Sequence, residues 1–168
     1  MRHDRLLLPF LTILCLHSSA QTNSDQEKQK SYQKLKHGIE SKQFHFIATS
    51  ATTSKGKTVQ LTGSYFLFVG GDSLTVNLPF FGTSYQSSGH YGASGDDAGV
   101  NFHTHEFTYS SDTTKKGGWN ITIKPSNQRS ASRMYLSITS SGSCRTSVNS
   151  SNRSTISYYG TVLSNFKD

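Results

Sequence analysis

Charge, cysteine, proline and long apolar runs are all scarce in this chain. Only 16% of its 168 residues are charged and 33% hydrophobic, with three Pro, two Met, two Cys and one Trp. So few charged and apolar residues argue against a helical bundle or coiled coil, whose faces need Ala, Leu, Glu and Lys. The longest apolar run, residues 6–16, is shorter than the roughly 18 residues that a transmembrane helix needs. Cys15 lies within that run, so once the run is removed only Cys144 remains and no intramolecular disulfide can form. The domain must then hold together by core burial alone. Ser and Thr make up roughly a quarter of the chain and fill the deficit. Ten Phe, eight Tyr and 14 Gly exclude general disorder and point to short strands and many turns.

The N-terminus reads as an address. Arg2 and Arg5 precede the apolar run, and Ser18-Ser19-Ala20 follows it, which is the pattern of a secretory signal peptide. Cleavage is predicted after Ala20, leaving Gln21 first. Residues 1–20 are thus the signal peptide, 21–43 an N-terminal helical region and 44–168 a β-domain. Leu14 in front of Cys15 makes a poor lipobox, so lipidation of Cys15 is not expected. Processing takes the formal charge from +7 to +6. No basic run interleaves with aromatics to hold nucleic acid, and the positive charge is read as a solvated surface or loose attraction to anionic envelope glycolipid.

Ser24-Asp25-Gln26-Glu27 fits a capping box. Tyr32, Leu35 and Ile39 then recur at helical spacing, predicting a helix over about residues 25–41 with one narrow apolar stripe. Gly38 lies inside it and weakens it. From Phe44 the period becomes two. Val59, Leu61, Gly63, Tyr65, Leu67 and Val69 share one face, and a Gly within such a row marks a bend. Leu74, Val76 and Leu78 follow a Gly70-Gly71-Asp72 turn. Residues 87–99 read as a long loop. Val100 and Phe102 hold one phase while Phe107 and Tyr109 hold the other, which predicts a bulge near Thr104. Three further alternating runs precede a last strand with Ile156, Tyr158, Gly160 and Val162. The pattern is mainly β: about eight antiparallel strands in a meander, closing into a lipocalin-like barrel with one N-terminal helix. A two-sheet β-sandwich is the competing arrangement.

Several segments carry a resemblance. Leu78-Pro79-Phe80-Phe81-Gly82 followed by Tyr85, the strand start Gly99-Val100-Asn101-Phe102, and Lys116-Gly117-Gly118-Trp119-Asn120-Ile121-Thr122-Ile123-Lys124-Pro125 are similar to a secreted Bacteroidetes family, domain of unknown function 4251. So are Asn152-Arg153, Ile156-Ser157 and Tyr159-Gly160 near the end. The resemblance covers about residues 34–163, and its Gly-Gly-Trp strand is the most specific part. It implies a Gram-negative periplasm or envelope-surface location and a lipocalin-type barrel, and it carries over no activity.

Candidate chemistry is sparse. His103-Thr104-His105 has metal-like spacing on a strand, with His45, His90 or Glu106 as a third ligand. A metal-dependent enzyme using His103 and His105 is the low-ranked alternative, because surface strands often carry such residues and the family's strand has ordinary polar residues there. No Gly-x-Ser-x-Gly elbow occurs, and Glu27, Glu40 and Glu106 are the only glutamates. No enzyme, cofactor or metal is expected. Cys144 reads as a buried small hydrophobe.

The aromatics remain. Tyr65, Phe80, Phe81, Tyr85 and Trp119 are the candidate ligand-binding residues, with Phe80, Phe81 and Tyr85 beside the long loop. The expected function is a non-enzymatic barrel binding a small apolar or amphipathic molecule, with a cavity of a few hundred Å³ near that loop. The alternative is a structural or partner-binding envelope protein using the helix or a sheet face. Asp72-Ser73-Leu74 and Asp112-Thr113-Thr114 match a short O-glycosylation pattern, with Ser73 and Thr113 as acceptors.

Overall fold

The protein is described from a computed structural model that covers residues 19–82, 99–128, 130–151 and 153–164, with side chains from Ser24 onward. One helix, α1 (Ser19–Glu40), precedes nine strands: β1 (Gln43–Thr53), β2 (Thr58–Gly70), β3 (Ser73–Leu78), β4 (Val100–Thr104), β5 (Phe107–Thr113), β6 (Trp119–Pro125), β7 (Arg133–Ile138), β8 (Ser143–Asn149) and β9 (Ile156–Ser164). They form a single antiparallel sheet in the order β4-β3-β2-β1-β9-β8-β7-β6-β5.

Direction alternates along that order, so its two edge strands, β4 and β5, run the same way. Only His105 and Glu106 separate them in the chain. They are the two halves of one crooked strand, the first half paired with β3 and the second with β6. At the crook the Glu106 amide donates to the Thr104 hydroxyl at 3.0 Å, and the Glu106 carbonyl accepts from Ser126 at 2.8 Å. This is the predicted bulge. It reverses the inward phase from Val100, Phe102 and Thr104 to Phe107 and Tyr109, and it splits one of eight expected strands into two. The sheet thereby curls into a nearly closed barrel instead of a sandwich. Phe44 of β1 and Tyr109 of β5 stand five places apart in the sheet, yet their rings lie 6.4 Å apart.

Alternation packs the interior. Phe44, Phe46, Leu67, Val69, Leu74, Leu78, Ile123, Met134 and Tyr158 are all completely buried, drawn from six strands. Two distortions set the curvature. β1 carries an extra residue at Thr49, so that Ala48 and Ala51 both point inward. Opposite it, the register on β2 jumps from Tyr65 to Gln60. Gly63 lies in that jump, and a Cβ there would stand 2.9 Å from the Tyr65 ring, so the predicted bend also makes room for an aromatic.

The helix closes one end of the barrel. Its predicted stripe is the one used: Leu35 and Ile39 are buried, and Tyr32 stacks on Trp119 with centroids 5.4 Å apart. Helix formation begins at Ser19 rather than near residue 25, so Ser24 lies inside α1 and does not cap it. The helical register simply continues upstream of the polar box. Gly38 is more than a weak point. A Cβ on it would come 2.7 Å from the Ser164 Cβ, so its bare backbone lets α1 lie on the end of β9. Lys42 then takes a left-handed conformation (φ 57°) that ends the helix and turns the chain into β1. Its carbonyl accepts from Gly71 at 2.7 Å, tying the helix to the β2–β3 turn.

Candidate functional site

The opposite end of the barrel is built differently. β3 ends at Leu78 and Pro79, which has no amide hydrogen to extend the ladder. The Pro79 carbonyl is taken by the hydroxyl of Tyr158, a fully buried β9 side chain, at 2.7 Å. Burial pushes the Tyr158 phenol up, opposed by the nearby Arg153 charge, so the hydroxyl remains a proton donor. Just before β9, Arg153 is only 5% exposed. Its Nη1 donates to the Gly99 carbonyl at 3.0 Å, and its guanidinium carbon lies 5.0 Å from the centre of the Phe80 ring. Its Nε is buried without a hydrogen-bond partner. Tyr158 and Arg153 thus hold Pro79 and Gly99, the two roots of the segment between β3 and β4.

Two glycines make this packing possible. Gly99 has φ 139°, and a Cβ on it would come 2.6 Å from the Leu78 carbonyl. A Cβ on Gly82 would meet the Ser154 hydroxyl at 2.5 Å and the Phe80 ring at 2.6 Å. Phe80 is half-buried beneath Arg153, and Phe81 beside it is 43% exposed. Tyr65 is half-buried on the inner face, one residue beyond the last β2–β3 pair, Phe66 with Asn77. The fold therefore places three predicted residues, Tyr65, Phe80 and Phe81, at this loop end. Tyr85 lies outside the described residues. Trp119 belongs to the other end, buried under Tyr32.

Phe44, Phe46, Leu67, Val69, Leu74, Leu78, Ile123, Met134 and Tyr158 pack the interior, while Tyr65, Phe102, Phe107 and Tyr109 on the same inward rows are only partly buried. A groove of about 1200 Å³ lies outside the barrel, between α1 and the β7–β8 turn, lined by Lys28, Tyr32, Lys34, Leu35, Gly142 and Leu163 among others.

His103 and His105 lie on the exterior with rings 5.1 Å apart. His103 Nδ1 and the Thr75 hydroxyl are 2.8 Å apart, and His105 Nδ1 is 3.2 Å from the Asp72 carbonyl. Among the described residues no group of three or more His, Cys, Asp and Glu could hold a metal ion. Cys144 is buried next to Thr146, and burial pushes its thiol up to about 12, which makes it a poor nucleophile. Ser73 is half-buried and donates to the Gly70 carbonyl at 3.3 Å, whereas Thr113 is exposed at the end of β5.

A second feature covers the outer face of β2, β1 and β9. His45 pairs in register with Phe68 on one side and Leu163 on the other, and Ile47 pairs with Phe66 and Thr161. The His45 ring meets Phe66 edge-on at 5.1 Å and Phe68 at 5.6 Å, while its Nε2 is buried without a partner. Desolvation holds its pKa below the usual histidine value. Ile47 is 38% exposed and Leu163 51%.

Sequence reasoning missed both Arg153 as a buried group and this patch. Asn152-Arg153 is among the segments that carry the family resemblance, but nothing in its local pattern marks this arginine, out of seventeen Lys and Arg, as the buried one. The patch did leave a signal: Tyr65-Phe66-Leu67-Phe68-Val69 is apolar on both strand faces, which a strand with one wet face does not require.

A nearly closed antiparallel barrel with a helix across one end and a pinned aromatic mouth at the other defines the structural class. Within that class the chain belongs to the DUF4251 family, a domain of unknown function, whose profile matches residues 26–162. The fold is similar to the crystal structure of a DUF4251 family protein from Bacteroides eggerthii DSM 20697. The TM-score is 0.58 at 19% identity, covering 80% of this chain and 88% of that one. No curated protein matches. Among the described residues no helix is long and apolar enough to cross a membrane.

Proposed function

We propose that this protein is an exported, non-enzymatic envelope barrel that binds a small apolar or amphipathic molecule at its loop end. The observation that carries the reading is the mouth itself, where a buried arginine with an unused Nε–H lies over Phe80 beside the exposed Phe81. Ligand sites combine apolar lining with a few placed polar groups, and this mouth has both. The ligand rests at the mouth, with its apolar part against Phe80 and Phe81. Export is supported by the Arg2, Arg5 and Ala20 pattern, and the periplasm or envelope surface of a Gram-negative bacterium is the corresponding address. Native mass spectrometry of protein taken from its own envelope tests the reading. A retained small molecule, lost on Phe80→Ser, supports it, and bare polypeptide with no adduct overturns it.

The second reading, a partner-binding envelope protein without a ligand cavity, is favoured by the outer patch of Phe66, Phe68, Ile47 and Leu163 around His45. Surface apolar residues gathered in this way mark interaction sites more often than scattered ones. In the same experiment a protein complex disrupted by Ile47→Ser with Leu163→Ser supports this reading, and a complex indifferent to both changes overturns it.

A further inference from the structure

We infer that the unused edge of Arg153 is a carboxylate anchor, so that the ligand at the mouth is a small amphipathic acid, with its carboxylate on the guanidinium and its apolar part on Phe80 and Phe81. This rests on the reading of the mouth as a ligand site and adds the chemistry of the head group.

A buried charge is costly unless it is paired and hydrogen-bonded. Arg153 is 5% exposed, yet among the described residues no carboxylate forms an ion pair with it. Its described polar partner is one neutral carbonyl, that of Gly99, on Nη1. One face of the guanidinium lies over Phe80, which supplies cation–π attraction but no countercharge. Nε–H is the donor left over. Guanidinium takes a carboxylate side-on through Nε and a neighbouring Nη, with two parallel hydrogen bonds, a geometry that ammonium cannot copy.

The surroundings favour an acid with a short apolar body. Beneath the mouth Leu78, Val100 and Tyr158 are buried and offer no free apolar surface. The apolar surface on offer is lateral, the half-buried Phe80 and the exposed Phe81. Tyr158 is already committed to the Pro79 carbonyl, which leaves Arg153 as the reader of charge.

Octanoate and 1-octanol, equal in chain length and different in head group, are the probes. Binding to the processed chain is followed by calorimetry and by the arginine Nε–H resonances of ¹⁵N-labelled protein. Octanoate is expected to bind at least tenfold more tightly than octanol and to shift one arginine Nε–H signal that octanol leaves in place. Arg153→Lys keeps the charge but loses the side-on edge, and is expected to bring octanoate down to the octanol level. The resonance measurement needs no variant and stands even if Arg153→Lys folds poorly. Equal binding of both probes overturns the anchor while leaving an apolar ligand site intact, and binding of neither overturns both. Octanoate binding that moves no arginine signal also overturns the anchor. So does a double-mutant cycle for stability in which Arg153 couples to Asp96 or Asp97 and octanoate has no effect, since the edge would then serve the chain itself.

Discussion

The two ends of this barrel are closed by opposite chemistry. At the helix end the closure is apolar and close-fitting: Ile39 and Leu35 are buried, Tyr32 stacks on Trp119, and Gly38 lets α1 approach β9. At the loop end it consists of two polar side chains, Tyr158 on the Pro79 carbonyl and Arg153 on the Gly99 carbonyl. Apolar closure is non-directional and grows with area, so it suits a permanent plug. Hydrogen bonds to two backbone carbonyls add little net stability but fix where the chain leaves and re-enters the barrel. The difference assigns stability to the helix end and positioning to the loop end.

Mutations can break that comparison. The largest effect is expected from Ile39→Ala, which empties a fully buried site and should cost about 2–5 kcal/mol in urea unfolding. A cost below that of the loop-end changes would reverse the assignment. Gly38→Ala comes next, because the new methyl meets Ser164 and the overpacking, about 1–3 kcal/mol, outweighs the helix propensity gained. At the loop end Tyr158→Phe keeps the ring and removes the bond to Pro79, for about 1 kcal/mol in the same assay. Phe81→Ser should have the smallest effect on stability, about 0.5 kcal/mol, as the ring is 43% exposed, while weakening any ligand adduct.

A pH series sharpens the same contrast. Tyr109, which reaches the Ile39 carbonyl at the helix end, and Cys144 are both held protonated by burial, with pKa values raised to about 12. A folded-state pKa above the unfolded one contributes stability that is complete below the unfolded value and disappears as pH rises through the folded value. Unfolding midpoints are therefore expected to be flat to about pH 8 and to fall between roughly pH 9 and 12. Cys144→Ala should flatten part of that decline, which a urea series at pH 8 and pH 11 would measure.

Much of this architecture was legible beforehand because it repeats. The stripe Tyr32, Leu35 and Ile39 has a period that only a one-faced helix satisfies, and the phase change between Phe102 and Phe107 can only mean an inserted kink. Strand count was blurred at that same kink, since hydrogen bonding divides what periodicity joins. Residue type alone groups Trp119 with Phe80, since both are aromatic, yet the meander sends them to opposite ends. Gly38 looked like a defect because its merit lies in Ser164, far away in the chain.

What the amino-acid sequence determined by itself was therefore whatever depends on neighbours a few residues apart: helix, strand phases, turns, the bend at Gly63 and the kink after Thr104. Tertiary structure alone decided which charged group was to be buried. Local sequence does not mark Arg153 for burial; it is buried because the β8–β9 connection carries it under the Gly99 carbonyl and over Phe80, 54 and 73 residues away. Burial is a property of the assembled surface, and no local pattern encodes it.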